Sequence, residues 1–369
     1  MELIMRKYIL SVLFILLATA LFSAGRTENA AAAEADKGDS VKNVIEITDS
    51  TGNRVALEKI PERITFAGRA SIMVADALYM FPEASKRIVG VGFTNQGNGN
   101  FTAAIDPTYK DKVYLDKSAG VEQIARTRPD LVILKSYLKK SLGKPVQELG
   151  IPVLYMGLEN PRQYEDDFRV LGKVFGNPER AEEIIAFYRN LQDRIVKRTE
   201  KLEKKPKVLF VYHSSKGGET AFNVPPKNWI QTGMVEMAGG DPVWADDVSG
   251  NGWTRVNLEQ IAVWNPDYVF VAAYKQNVKA IVKKLLESKQ WENLNAGKNG
   301  RIFPFPEDFY SWDQPDSRWI LGAAWLARTI SPDLFKDFNI EAIAEKFYKE
   351  LYFMDDSVYK REIKSRLGW

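Results

Sequence analysis

A chain of 369 residues carrying 51 Lys and Arg against 48 Asp and Glu, a formal charge of +3, has no surplus of positive charge with which to hold nucleic acid. With no Cys there are no disulfides and no thiolate metal sites, and a single His leaves no ordinary ligand set for capturing free zinc or manganese. Stability has to come from packing, and the length suffices for two lobes of ordinary domain size, each with its own core.

The first 25 residues read as a secretory signal: Arg6 and Lys7, an apolar run from Tyr8 to Phe22, then Ser23, Ala24 and Gly25. The apolar run is shorter than the roughly 20 residues that span a bilayer, which predicts cleavage and release to the periplasm or the extracytoplasmic face. Arg26 stands where a lipoprotein signal would place its acylated Cys, so lipid anchoring has no support. Residues 26–43 read as a disordered tether, rich in Ala, Asp and Gly from Glu28 to Ser40 and without periodicity.

An N-terminal α/β lobe is predicted over residues 44–160. Val44 to Thr48 and Arg54 to Leu57 flank a turn containing Gly52 and form an edge hairpin. Arg63 to Phe66, Arg87 to Val91, Leu131 to Leu134 and Val153 to Tyr155 are short apolar strands separated by helical segments such as Ser71 to Met80, the alternation of βαβ units. Residues 161–206 are a linking helical segment. Asn177 can cap a helix with Pro178 at its first position, and Ala181, Ile184, Ile185, Tyr188, Leu191 and Ile195 recur with helical period. Its charged end, Lys197 to Lys207, has mixed signs and suits a solvated surface. A C-terminal α/β lobe, 207–369, starts with the strand Val208 to Tyr212, adds Tyr268 to Val271 and Arg301 to Phe305, and ends in a helix from about Ile340 to Tyr352 that packs back across the body.

One unit occurs twice. Val-Glu-Gln-Ile-Ala from Val121, followed by Pro129-Asp130 and a strand leading to Tyr137, reappears as Leu-Glu-Gln-Ile-Ala from Leu258, Pro266-Asp267 and a strand leading to Tyr274. Two similar lobes with facing strand ends make a cleft, because ligands of open α/β sheets bind outside the carboxyl ends of the strands. The fold predicted is therefore α/β, with two Rossmann-like lobes of mostly parallel sheet joined by one long rigid α-helix. Such a joint predicts a restrained hinge and small closure.

Residues at strand ends or in Gly/Pro/Asn-rich loops are the binding candidates: Arg69, Tyr137, His213, Trp229, Trp253, Tyr274, Tyr310, Trp312 and Arg318. Arginine offers five donors and aromatic faces cover flat ligand parts, a combination that fits a bulky anionic chelate. Each has a plainer alternative. Arg69 can pair with a carboxylate, Tyr137 and Tyr274 can close the core, and Arg318 can be an ion-pair anchor one turn into a helix opened by Asp313 and Pro315. Trp312, just before that helix, is placed on the cleft rim. Direct metal ligation by Tyr137, His213 or Tyr274 stays open, with no metal ligand fixed. Glu122 and Glu259 fall in the first turns of their helices, where a carboxylate interacts well with the helix dipole, and Asn257 with Gln260 looks like a capping box.

Enzyme signatures fail. Gly90-Val91-Gly92 follows a strand but the next glycine is Gly97, and neither a P-loop nor a Gly-x-Ser-x-Gly elbow occurs. The export signal, the helix-linked lobes, the paired Glu-Gln-Ile-Ala units and the segment Trp312-Asp313-Gln314-Pro315-Asp316-Ser317-Arg318 together resemble the periplasmic binding proteins of ABC importers for ferric siderophores, haem and cobalamin. The resemblance covers the chain from about Val44 to its end. It implies a non-enzymatic, monomeric receptor without a permanently bound cofactor, which delivers an iron(III) chelate, siderophore or haem, to an inner-membrane ABC permease and its ATPase. Cobalamin or another corrinoid is the alternative cargo, and a secreted enzyme or sensor domain on the same scaffold is the alternative class. It also implies that Glu122 and Glu259 dock on the permease.

Overall fold

The structure, a computed structural model, describes residues 44–93, 97–216 and 219–367; the expected signal and tether lie outside them. The hairpin β1 (Ile45–Thr48) and β2 (Arg54–Leu57) precedes a sheet of β3 (Ile64–Phe66), β4 (Ile88–Gly92), β5 (Val113–Leu115), β6 (Leu131–Lys135) and β7 (Val153–Met156). These five strands are all parallel, in the order β5-β4-β3-β6-β7. The chain winds outward from β3 to β5 and then restarts at β6, so the switch point lies between the carboxyl ends of β3 and β6. The turn of the hairpin is pinned to this sheet by buried Asp49, whose carboxylate accepts from the backbone N–H groups of Thr51, Asn53 and Tyr155.

The second sheet contains β8 (Lys207–Lys216), β9 (Glu219–Val224), β10 (Asp241–Pro242), β11 (Thr254–Val256), β12 (Tyr268–Ala272) and β13 (Ile302–Pro304). Its spine β8-β12-β13 is parallel, β10 joins β8 in parallel, and β9 and β11 add antiparallel. The sequence reading misses β9 and β11, because Asn, Gly and Pro around them mask a strand that reaches out along the extended β8.

The repeated unit turns out to be a register device. Asp130 accepts from the backbone N–H groups of Glu62 and Arg63 at the start of β3, both at 2.8 Å, and Asp267 accepts from that of Lys207 at the start of β8, also at 2.8 Å. In each lobe the carboxylate at the head of one central strand thus holds the head of its neighbour, and charge assistance makes such bonds strong.

The linking segment is two helices, Pro161–Phe175 and Pro178–Thr199, parted by Gly176 in the left-handed conformation (φ 66°). Asn177 caps the second, its side chain accepting from the Arg180 N–H at 3.1 Å. The 22-residue helix, roughly 33 Å long at 1.5 Å per residue, is fastened at one end by buried Arg180. That guanidinium donates to the carbonyls of Met80, Glu350 and Leu351, tying the N-terminal lobe to the helix Ile340–Tyr352, beyond which the chain adds further helical turns from Asp356 to Leu367.

Direct contact between the lobes centres on Arg318, which is wholly buried. Its guanidinium pairs with Asp76 on the helix Ser71–Leu78 of the N-terminal lobe and with Asp308 of the C-terminal lobe at 2.8 Å, with Asp316 at 3.6 Å. The rings of Phe101, Tyr310 and Tyr348 lie 4.3, 5.0 and 5.7 Å from it, close enough for cation–π attraction. Nearby, Gly97 meets Phe309 so closely that an added Cβ would stand 1.9 Å from its carbonyl oxygen, and the Asn98 N–H donates to that oxygen at 2.7 Å.

This cluster takes three of the binding candidates, Arg318, Trp312 and Tyr310, away from the cleft, and for Arg318 it realises the ion-pair alternative. Arg318 precedes the helix Trp319–Ile330 instead of sitting within it, and its charge is spent on carboxylates, so it offers nothing to a solute. Trp312 is fully buried with its Nε1 donating to Asp308 at 2.8 Å, and Tyr310 is packed against the Arg318 guanidinium; neither ring reaches the cleft rim. Removing one partner of a buried ion pair strands the others, so Arg318→Ala should destabilise by about 3–5 kcal/mol in urea unfolding. A change below about 1 kcal/mol would show that the cluster does not hold the lobes together.

Candidate functional site

A cavity of about 450 Å³ opens between the lobes. Ala70, Met73, Tyr137 and Glu159 line it from the N-terminal lobe; Trp229, Ile230, Gln231, Asn251, Trp253, Tyr274, Gln314 and Pro315 line it from the other. Ala70 and Met73 follow β3 and Tyr137 follows β6, so this wall stands on the switch point, while Tyr274 follows β12. A larger hollow of about 580 Å³ is lined almost wholly by the C-terminal lobe, including Lys275, Lys279, Glu307 and Arg366, with Asn98 alone from the N-terminal lobe. Only the smaller one brings both sets of strand ends together, which is what the topology demands of a ligand site.

One wall is a run of rings. Trp229 meets Trp253 edge-on at 5.4 Å, Trp253 meets Tyr212 at 5.2 Å, and Tyr212 stacks on Tyr274 at 4.6 Å. Tyr212 belongs to β8, and its side chain shares a sheet face with Phe210, 6.3 Å from Trp253, as the two-residue period requires. Behind the wall, fully buried Asp313 accepts from the Tyr274 hydroxyl at 2.6 Å, from Ser311, and from the Gln231 amide at 3.5 Å. Across the cavity the Tyr137 hydroxyl donates to the Arg69 carbonyl at 2.9 Å, and Glu159 is held by buried Lys135 at 2.7 Å.

The electrostatics follow from burial. Desolvation pushes the Asp313 carboxyl up to about 6, although the bonds from Ser311, Tyr274 and Gln231 pull the other way. The Tyr274 phenol is driven well above its usual value by burial and by the Asp313 carboxylate. Tyr137 is raised too, by desolvation and the Glu159 charge, with Arg69 opposing. Both phenols are therefore held as neutral donors, with their protons engaged by oxygen. Buried Lys135 is lowered by desolvation, with Glu159 restoring part of its charge preference.

A family model for periplasmic binding proteins matches residues 73–309, well over half of the chain. The chain belongs to the periplasmic binding protein family. It is 24% identical over 332 residues to the molybdate-binding protein MolA of Haemophilus influenzae, covering 83% of this chain and 90% of that one. It is 25% identical to the petrobactin-binding protein YclQ of Bacillus subtilis over 53% of this chain and 62% of that one. Among solved structures, a periplasmic solute binding protein from Veillonella parvula superposes with a TM-score of 0.69 at 25% identity, covering 88% of this chain and 98% of that one. Members of this family are solute-binding proteins that work with an ABC permease and its ATPase. Among the described residues no helix is long and apolar enough to cross a membrane.

Of the nine binding candidates, this periplasmic binding protein brings Tyr137, Trp229, Trp253 and Tyr274 to one cavity. Arg69 is exposed beside it, one residue before the lining Ala70, and its charge is felt at the Tyr137 hydroxyl. His213 departs from expectation. It follows Tyr212 on β8 and so projects from the opposite sheet face, where it is buried against Phe222 at 5.8 Å and lowered in pKa by desolvation. Strand parity removes it from the cleft, while the hydroxyls of Tyr137 and Tyr274 donate to the Arg69 carbonyl and the Asp313 carboxylate. Sequence reasoning also misses Tyr212, Gln231, Asp313 and Glu159. Parity along β8 could have exposed Tyr212; the others depend on how loops far apart in sequence meet.

Burial leaves a pH signature. Asp313 near 6, and Asp167 and Glu307 both near 7, all stand above the unfolded carboxyl range near 4, so the folded chain binds more protons between those limits. Stability should therefore rise as pH is lowered from about 8 to about 5, His213 alone among these groups opposing it. Thermal melts across that range check the sign: a melting temperature that falls steadily on acidification contradicts it, and Asp313→Asn should flatten part of the slope.

Proposed function

We propose that this periplasmic binding protein is exported by a cleaved signal and, as a monomer, captures an iron(III) chelate, siderophore or haem, in the interlobe cavity for delivery to an ABC permease. The aromatic wall Trp229, Trp253, Tyr212 and Tyr274, facing Tyr137 across a cavity of about 450 Å³, carries this reading. Such rings offer broad apolar faces to the organic shell of a chelate and have little to give a bare oxyanion, which needs converging donors. Relatives named for petrobactin, iron(III) citrate and iron(III) hydroxamate point the same way, whereas the relative named for molybdate favours an oxyanion. In this reading Tyr137, Trp229, Trp253 and Tyr274 contact the solute and Arg69 stands at the mouth.

Transport coupling needs only differential affinity. A solute that favours one spacing of the lobes shifts the population toward it, and the surface presented to the permease then reports loading. Glu122 and Glu259 suit that surface: both are exposed, in the first turns of the equivalent helices Val121–Arg126 and Leu258–Trp264.

Quenching of tryptophan fluorescence by ferric chelates, haem and molybdate tests the cargo directly. Trp253→Ala should weaken chelate binding about tenfold, the loss of roughly 1.4 kcal/mol that aromatic contacts supply; unchanged affinity would remove the wall from the site. Exchanging Glu122 and Glu259 together for Lys should abolish uptake in cells with solute affinity intact. Equal loss of both would move those glutamates from docking to the fold.

A further inference from the structure

The charge of the cavity narrows its cargo. Among the described residues that line it there is no Lys or Arg, and the one lining carboxylate, Glu159, is already neutralised by Lys135 behind it. A second carboxylate, Asp313, lies directly behind Tyr274 and Gln231 and receives only neutral donors. One cation, Arg69, stands outside at the mouth. Seating a multiply charged anion here would bury its charge against rings and acceptors, which is strongly unfavourable without paired cations.

Gln231 adds a directional feature. It is buried, and its amide nitrogen faces the Asp313 carboxylate, which can only accept; its carbonyl oxygen therefore points the other way and has no partner. That oxygen is closed off from the cavity as well as from bulk water, so Gln231 braces Asp313 from behind the wall and takes no part in contacting the solute.

Resting on the chelate reading above, we propose that the cavity selects a chelate of neutral or positive net charge and rejects polyanionic chelates. Ferric complexes separate along this axis. Three hydroxamates, each with a single negative charge, neutralise iron(III), and an ammonium arm makes the complex cationic; three catecholates leave it three negative charges. The aromatic wall would favour the cationic form further through cation–π attraction.

Equilibrium titration of the purified protein decides this, using five probes: a ferric trihydroxamate with an ammonium arm, a neutral cyclic ferric trihydroxamate, a ferric tris-catecholate, ferric citrate and molybdate. Both trihydroxamates should bind at least tenfold more tightly than any of the anions. Trp229→Ala should weaken the cationic one severalfold more than the neutral one, the variant first shown to melt as the parent does. If the tris-catecholate or citrate binds most tightly, the charge rule is overturned and the chelate receptor stands. If haem, run alongside, is the one ligand bound, the charge rule is overturned and the chelate receptor stands; if only molybdate binds, or neither haem nor any probe does, the chelate reading falls with it.

Discussion

The guanidinium of Arg318 is the constraint on which the two-lobed body depends. It is surrounded by Asp76 from one lobe and Asp308 and Asp316 from the other, all buried, and Tyr352 reinforces the junction by donating to the Asp76 carbonyl at 2.9 Å while lying 2.6 Å from the Ser317 hydroxyl. Three carboxylates around one cation do not balance, and burial raises the Asp76 and Asp316 carboxyls in response. An ion pair of this kind is a poor source of net stability compared with apolar packing, but it is directional. It fixes one relative placement of helix Ser71–Leu78 and the segment 308–318, and Ala70, Met73, Gln314 and Pro315 of the cavity lining lie on or beside those two pieces.

The cavity inherits its geometry from that junction. Ala70 and Met73 flank the start of the helix that carries Asp76, and Gln314 and Pro315 lie between the carboxylates that hold Arg318. Any movement that opens the cleft must therefore work against the ion cluster, the Gly97–Phe309 contact and the helix Pro178–Thr199 at once. Small adjustments of spacing are compatible with these joints; wide separation is not. Under the proposed function, a narrow range of lobe spacings suits the reporting of loading to a permease, since a modest difference in affinity is enough to move the population.

Much of the fold was legible because its signals are local. The apolar strand runs, the Asn177-Pro178 cap and the helical period from Ala181 to Ile195 each reflect physics acting within a few residues, and the structure realises them within one or two positions, except that β8 runs four residues past Tyr212. The duplicated unit announced paired lobes, although its role in pinning strand heads through Asp130 and Asp267 needed the partners 60 and 68 residues away. The strands β9 and β11 escaped because their pairing to an extended β8 outweighs a composition that speaks for loop.

For the site the division falls between type and direction. The sequence by itself determined that aromatic residues end the central strands, that no thiol and one imidazole are available, and that Trp229 and Trp253 occupy loops. Tertiary structure alone decided which of these side chains share a space. His213 and Tyr212 are neighbours in the chain and face opposite sides of a sheet, while Trp312 and Arg318, which look like rim residues, are drawn inward because buried carboxylates from two lobes need a cation and donors. Local propensity operates over a few residues, whereas charge compensation and close packing are settled only when distant segments meet.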